Sequence, residues 1–203
     1  MNGAAACAAR TGTRAEAQRD RILCAALKCF IEHGFHAASM ASIADAAQMS
    51  AGLMYRYFEN KHAIVLAIVE RQLAERRAAI RQLHSSQDFT TRLLGTFEQW
   101  RSGDPCAMSV ALFLEMSAEA TRNPQIAQAL RTSDTLTRAE LQAWLRRSRD
   151  EGGLGLAADV APSQALLLQC VVEGLALRAV REPDLDLAQL QSTLDDLFDR
   201  LLH

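Results

Sequence analysis

Ser39-Met40-Ala41-Ser42-Ile43-Ala44-Asp45-Ala46-Ala47-Gln48-Met49-Ser50-Ala51-Gly52-Leu53-Met54-Tyr55-Arg56-Tyr57-Phe58 is the stretch on which the reading of this chain turns. Ser39 has the short oxygen-bearing side chain that accepts from free N–H groups at a helix start, so it caps a short helix from Met40 to Ala47. Ile43, Ala44 and Ala47 form that helix's apolar side. Gln48-Met49 makes a tight turn, and Ser50 caps a second short helix over about 51–58. Two short capped helices joined by such a turn have the spacing of a helix-turn-helix. In that motif the first helix crosses the sugar-phosphate backbone and the second enters the major groove by its N-terminal residues. Those residues are Ser50, Ala51, Gly52 and Leu53, whose small side chains permit close approach.

Tyr55, Arg56, Tyr57 and Lys61 follow in the pattern of a phosphate clamp, since phenols and cations are the usual donors to backbone oxygens. Arg56 has a second option as a bidentate donor to a guanine edge. Each also has a structural reading: the tyrosines as half-buried packing residues with exposed tips, and Lys61 as a solvated charge. A cation in a helix's first turn opposes the dipole, so an anion outside the helix explains Lys61 better. Ile43, Met49, Met54 and Phe58 are core residues by character and spacing.

Working outward, a helix is predicted from about Arg14 to Glu32, stopped by His33-Gly34, with Gly34 as a left-handed C-cap. A long helix runs from Lys61 to about Leu83. Further helices are expected at about 88–101, 106–121, 124–150, 162–180 and 186–202, about nine in all. Strand-like alternation is hard to find, and the fold class is therefore all-α. Pro105, Pro124, Pro162 and Pro183 fall at helix starts or loops, and Gly152, Gly153 and Gly155 mark a loop.

The 203 residues, 49% hydrophobic and 23% charged, have the balance of a globular chain. The net charge of -2 is unusual for a nucleic-acid binder, but residues 1–62 carry seven basic side chains against five acidic ones. That asymmetry permits a basic N-terminal module beside an acidic partner domain. The five cysteines include no C-x-x-C pair, and the five histidines have no metal-ligand spacing. No metal site and no cofactor are expected. Neither paired acids with a base nor a Ser-His-Asp set is found, which argues against an enzyme. The Ala-rich start lacks the continuous apolar stretch of a secretory signal, and no segment has ~20 consecutive apolar residues. A cytoplasmic protein without membrane association is expected, with residues 1–13 as a flexible arm.

Phe30-Ile31-Glu32-His33-Gly34-Phe35, Ser39 to Ala44 and Met49 to Lys61 together resemble the N-terminal signature of the TetR/AcrR family of transcriptional regulators. The Tyr-x-Tyr-Phe-x-x-Lys run is its most distinctive part. The resemblance implies phosphate contacts from Ser39, Tyr55, Tyr57 and Lys61 and base reading from Ala51, Gly52 and Leu53, with Arg56 possible. It also implies that a small effector binds a helical C-terminal domain and releases double-stranded operator DNA. Gln48 departs from the pattern, which has Gly in this turn; Gln tolerates a left-handed backbone less well. The DNA-binding domain is placed at 14–62, with the motif at 39–58, and the ligand-binding and dimerisation domain at 63–203. There the resemblance is weaker, resting on segments such as Leu112 to Met116 and Val172 to Leu177.

Phe97, Trp100, Met108, Phe113, Met116 and Trp144 are bulky apolar residues that would suit either ordinary packing or the walls of a cavity for a mostly hydrophobic ligand. Glu115 is its candidate polar element, with pairing to an Arg or exposure to water as alternatives. The last two helices are rich in Leu and Val, and Leu167, Val171, Gly174, Leu175, Leu194, Leu197 and Phe198 suit a four-helix bundle shared by a homodimer. Two recognition helices reaching half-sites ~34–36 Å apart on a (pseudo)palindrome call for such a dimer. The expected mechanism is a ligand-driven population shift transmitted by the helix from Lys61. The competing reading is a DNA-binding regulator or adapter without a small-molecule ligand.

Overall fold

In the computed structural model, which describes residues 13–102 and 109–201, the chain is all helical, with nine α-helices and no strand among those residues. They are α1 (Arg14–Ala37), α2 (Met40–Ala46), α3 (Ala51–Tyr55), α4 (Lys61–Arg81), α5 (Ser86–Ser102), α6 (Val110–Ala120), α7 (Pro124–Arg146), α8 (Ala161–Arg181) and α9 (Leu187–Leu201). A single 3-10 turn, Arg149–Glu151, follows α7. Residues 1–12 of the expected arm 1–13, and residues 106–108 of the helix expected from 106, Met108 among them, lie outside the described residues, whereas Thr13 caps α1.

The helix starts follow from local chemistry. Thr13 and Glu16 form a reciprocal capping box at α1, as do Ser39 and Ser42 at α2. Ser50 accepts from the Leu53 N–H, and Asn60 Oδ1 accepts from the Ala63 N–H, which caps α4. Most bounds shift by one to five residues from the sequence expectation, and three of the shifts have a local cause. Helix α1 continues to Ala37, but Gly34 within it has φ 76°, so the bend falls at the glycine expected to stop it. Helix α3 ends at Tyr55, and the chain reaches Phe58 through a turn whose N–H groups return to Leu53 and Met54. Helix α7 ends at Arg146 because Arg147 O turns to accept from Gly155 N–H.

The chain divides into two compact units. The first holds α1–α3, α4 as far as Arg71, α6 from Ala111 and α7 as far as Leu130. Its core is built on Ile22, Phe30, Ile43, Met54, Ile64 and Ile68, all essentially without solvent contact, and is completed by Leu112, Met116 and Ile126. The segment 14–62, expected to form a DNA-binding domain, therefore does not close its own core. Burial of Leu112 and Ile126 alone contributes roughly 1.5–3 kcal/mol each.

The second unit holds the remainder of α4, α5, the rest of α7, α8 and α9. Phe97, Trp144, Leu145, Leu168 and Phe198 form its centre, with Phe89 stacked on Trp144 at 5.6 Å and edge-on to Phe198 at 5.3 Å. Helix α8 is long and apolar enough to cross a membrane by length and composition, yet Ala161, Ala165, Leu168, Ala176 and Ala179 are packed inside this core.

Candidate nucleic-acid interface

Helices α2 and α3 are joined by a Schellman turn. The Met49 N–H donates to Ala44 O and the Gln48 N–H to Asp45 O, both at 2.9 Å. Gln48 occupies the left-handed position with φ 52°, the only non-glycine with positive φ among the described residues. Gln48 stands where the TetR/AcrR resemblance leads one to expect glycine, and the glutamine carries the left-handed strain. Arg21 of α1 supports the turn: Nε donates to Ala47 O and Nη2 to Gln48 O, each at 2.7 Å. Arg21 is absent from the candidates drawn from the sequence, because a guanidinium paired with carbonyls leaves no periodic signal.

Ser50, Ala51 and Gly52 are exposed and Leu53 is half-buried, so the start of α3 presents small side chains outward. No atom lies within 4 Å of where a Gly52 Cβ would stand. Tyr55 is 55% exposed and Arg56 is exposed, whereas Tyr57 is half-buried against the core. Met54 and Phe58 are buried, and Arg19 lies 4.6 Å from the Phe58 ring centroid. Ser39 is exposed, though its hydroxyl also accepts from the Ser42 N–H at 3.0 Å.

Lys61 is placed differently from the phosphate clamp expected of it. Its ammonium donates to the carbonyls of Phe35, His36 and Ala38 and lies 4.3 Å from the Phe35 ring centroid. Three N–H donors and three carbonyls match. Burial pushes the Lys61 pKa down, and the nearby Glu119 carboxylate partly opposes that. Lys61 is thus a tie between the start of α4 and the end of α1, and a phosphate would have to displace a carbonyl to reach it.

The candidate ligand residues do not fall together. Phe97, Trp100 and Trp144 belong to the second unit's core. Phe113, Glu115 and Met116 belong to the first unit, where Met116 is in the core and Glu115 accepts from the Phe35 N–H at 3.2 Å. Glu115 therefore serves backbone in the first unit and not a cavity in the second.

The second unit holds a polar layer that the sequence did not reveal. Arg138 Nε donates to Gln169 Oε1 at 3.3 Å, and Gln169 Nε2 donates to Glu173 Oε1 at 3.1 Å. Burial raises the Asp134 pKa despite Arg76 and Arg138 beside it, and burial likewise lowers that of Arg76. Close by in sequence, Thr137 Oγ1 and Trp144 Nε1 are buried without a hydrogen-bond partner, as is Trp100 Nε1 on α5.

Of the seven candidate dimer residues, Leu175, Leu194 and Phe198 turn inward and are 8%, 3% and 1% exposed. They are corrected from interface to core, because each lies on the face its helix packs against the unit. Leu167 and Gly174 are exposed, and Val171 and Leu197 are half-buried. With Leu166, Leu167 leaves an apolar stripe on α8.

Comparison with known proteins bears on this architecture. Residues 22–68 match the model of bacterial regulatory proteins of the tetR family, and residues 89–203 match that of the BetI-type transcriptional repressor C-terminal domain. The chain belongs to the TetR family. It is 32% identical over 168 residues to the HTH-type transcriptional regulator UidR of Escherichia coli K12, spanning 81% of this chain and 83% of that protein. The solved structure of Salmonella enterica GusR superposes with a TM-score of 0.76 at 27% identity, over 95% of this chain and 99% of that one. The SmeT–triclosan complex shares the fold, with a TM-score of 0.72 at 24% identity over 92% of each chain. This TetR-family protein is accordingly a transcriptional regulator of the helix-turn-helix type.

Proposed function

We propose that the chain is a ligand-responsive repressor that binds a (pseudo)palindromic double-stranded operator as a homodimer and leaves it when a small molecule occupies the second unit. The observation that carries the DNA half is the exposed surface of Ser50, Ala51, Gly52, Tyr55 and Arg56 on α3 and its caps, which follow a turn braced by Arg21. Tyr55, Tyr57 and Ser39 anchor phosphates. Ala51, Gly52 and Leu53 have no side-chain donors for base edges, so Arg56 and the shape of the duplex carry much of the sequence preference.

The effector reading rests on the aromatic interior of the second unit, Phe97, Trp100 and Trp144. The unpartnered indole N–H groups and the Thr137 hydroxyl favour an effector that combines apolar surface with hydrogen-bonding atoms over a wholly hydrophobic one. A fold relative bound to triclosan, a small aromatic molecule, fits such a site. The α8 stripe of Leu166, Leu167 and Gly174 is the proposed dimer face, where the absent glycine side chain permits close helix approach. Helix α4 contributes to both units and is the proposed lever.

Genomic footprinting with the full chain tests this reading, followed by a mobility-shift screen of small molecules on the recovered duplex. Recovery of short two-fold-symmetric sites, with release by at least one compound, is expected. Sites without symmetry would refute the dimer, and a screen in which no compound weakens binding would favour a regulator without a ligand.

A further inference from the structure

We propose that Glu115 is a positioning residue for DNA binding: from α6 its carboxylate holds the bend between α1 and α2, and so sets the pose of the helix-turn-helix. The inference rests on the reading of α2–α3 as the DNA-contacting element. Gly34, at φ 76°, takes the chain out of α-helical geometry. The N–H of Phe35 consequently loses an in-helix acceptor while the residue itself is 4% exposed. A buried N–H without an acceptor costs far more than an ordinary hydrogen bond contributes. Glu115 Oε2 takes that N–H at 3.2 Å, and Oε1 lies 3.6 Å from where a Gly34 Cβ would stand.

The segment 34–38 is also held from the other side. Lys61 of α4 donates to the carbonyls of Phe35, His36 and Ala38. Ala38 immediately precedes Ser39, the cap of α2. The segment 34–38 is thus gripped through its N–H by an acid on α6 and through its carbonyls by a cation on α4. A second acid of α6, Glu119, lies 3.4 Å from His36 Nε2 and 3.9 Å from His62 Nε2 without a hydrogen bond at Oε2, so it attracts them only when the imidazoles are protonated. The backbone leading into α2 therefore follows α6 as well as α4, so α4 is not the sole mechanical input to the reading head.

The test uses the full chain with two substitutions. Glu115→Ala removes the acceptor, and Glu115→Gln keeps an oxygen in the same place without the charge. Binding is read by fluorescence anisotropy on a labelled duplex selected by the unaltered chain from a random pool, and on a random-sequence duplex of equal length. Glu115→Ala is expected to bind the selected duplex about tenfold more weakly, as follows from loss of one buried acceptor, with little change on the random duplex. Glu115→Gln should restore most of the difference. Amide exchange over 39–55 should accelerate in the alanine variant only. Equal loss on both duplexes, wild-type affinity of Glu115→Ala, or a glutamine variant as weak as the alanine one would each overturn the proposal. If Glu115→Ala does not fold, Glu115→Asp, which shortens the reach by a methylene, takes its place with the same readouts. Should the unaltered chain select no duplex, the DNA reading fails, and amide exchange alone decides the role of Glu115.

Discussion

Gln48→Gly should stabilise the first unit. Gln48 sits at the left-handed position of the Schellman turn with φ 52°, a conformation that costs an L-residue roughly 1–2 kcal/mol. Glycine removes that cost but adds unfolded-state freedom, roughly 0.4–1 kcal/mol on the unfavourable side. The Gln48 side chain is exposed, so shortening it forfeits no packing. The difference leaves a gain of up to about 1.6 kcal/mol, about 0.8 at mid-range, which for a chain of this size raises Tm by about 2–3 °C. Gln48→Ala is the control, since it retains the strained φ and should leave Tm nearly unchanged. Differential scanning calorimetry of the three proteins checks that the glycine variant melts above both the unaltered chain and the alanine variant. Arg21 supplies a further constraint, because its two 2.7 Å bonds to Ala47 O and Gln48 O hold the strained turn. Arg21→Met should therefore destabilise the unaltered chain more than it destabilises the Gln48→Gly variant in a double-mutant cycle. A glycine variant no more stable than the alanine one would refute the argument that the turn stores strain.

Lys61→Ala should lower first-unit stability by about 1–3 kcal/mol, because three carbonyls lose one charged donor, and the salt dependence of DNA binding should keep its slope. A slope reduced by about one unit would show that Lys61 leaves those carbonyls for a phosphate. Leu166→Glu with Leu167→Glu should convert a dimer to monomer in sedimentation equilibrium while helicity is retained, since both side chains are 45% exposed; an unchanged mass would remove this stripe from the interface. Asp88 is held below its ordinary value of about 3.8 chiefly by its hydrogen bond to Arg92; burial pushes the other way, and the His84 N–H and the charges of Arg92 and His84 add smaller depressions. Its folded pKa is depressed, so the stability it contributes is complete above the unfolded value and disappears as pH falls through the folded one. Asp88→Asn should lose stability at pH 7 and show a shallower acid limb below about pH 4 in thermal melts.

What can be read in advance divides by the range of the interaction. Ser39 and Ser50 are legible as caps because the N–H groups they serve lie three residues on. The all-helical class follows from periodicity over long stretches, and the motif from two such helices at the right spacing. Lys61 shows the limit: its acceptors are carbonyls 23 to 26 residues earlier, and a carbonyl belongs to every residue, so no pattern of side chains announces it. Glu115 is the same case at a separation of 80 residues, and an acid between Leu114 and Met116 reads as readily as a pocket group. The division into units is illegible for a related reason, because α4 and α7 continue as single helices from one to the other.

Helix α8 poses the harder question, since it is apolar on more than one side. Periodicity identifies apolar positions but does not rank them when the hydrophobic arc exceeds what one core can cover. Leu175 reads as outward and packs inward, while Leu166, two positions ahead of core residue Leu168, stands 45% exposed. The burial pattern settles the order: Ala161, Ala165, Leu168, Ala176 and Ala179 form the inward line, largely of alanines that let neighbouring helices approach. The larger leucines at 166 and 167 are left outside, where a solitary protomer gains nothing from them. With Leu168 and Leu175 already supplying the inner face between alanines, two further leucines on the outer face are more apolar surface than a monomer's core alone would require. That is the arrangement a helix needs when its outer face is also to be buried, and the paired glutamate substitutions at 166 and 167 probe that requirement directly.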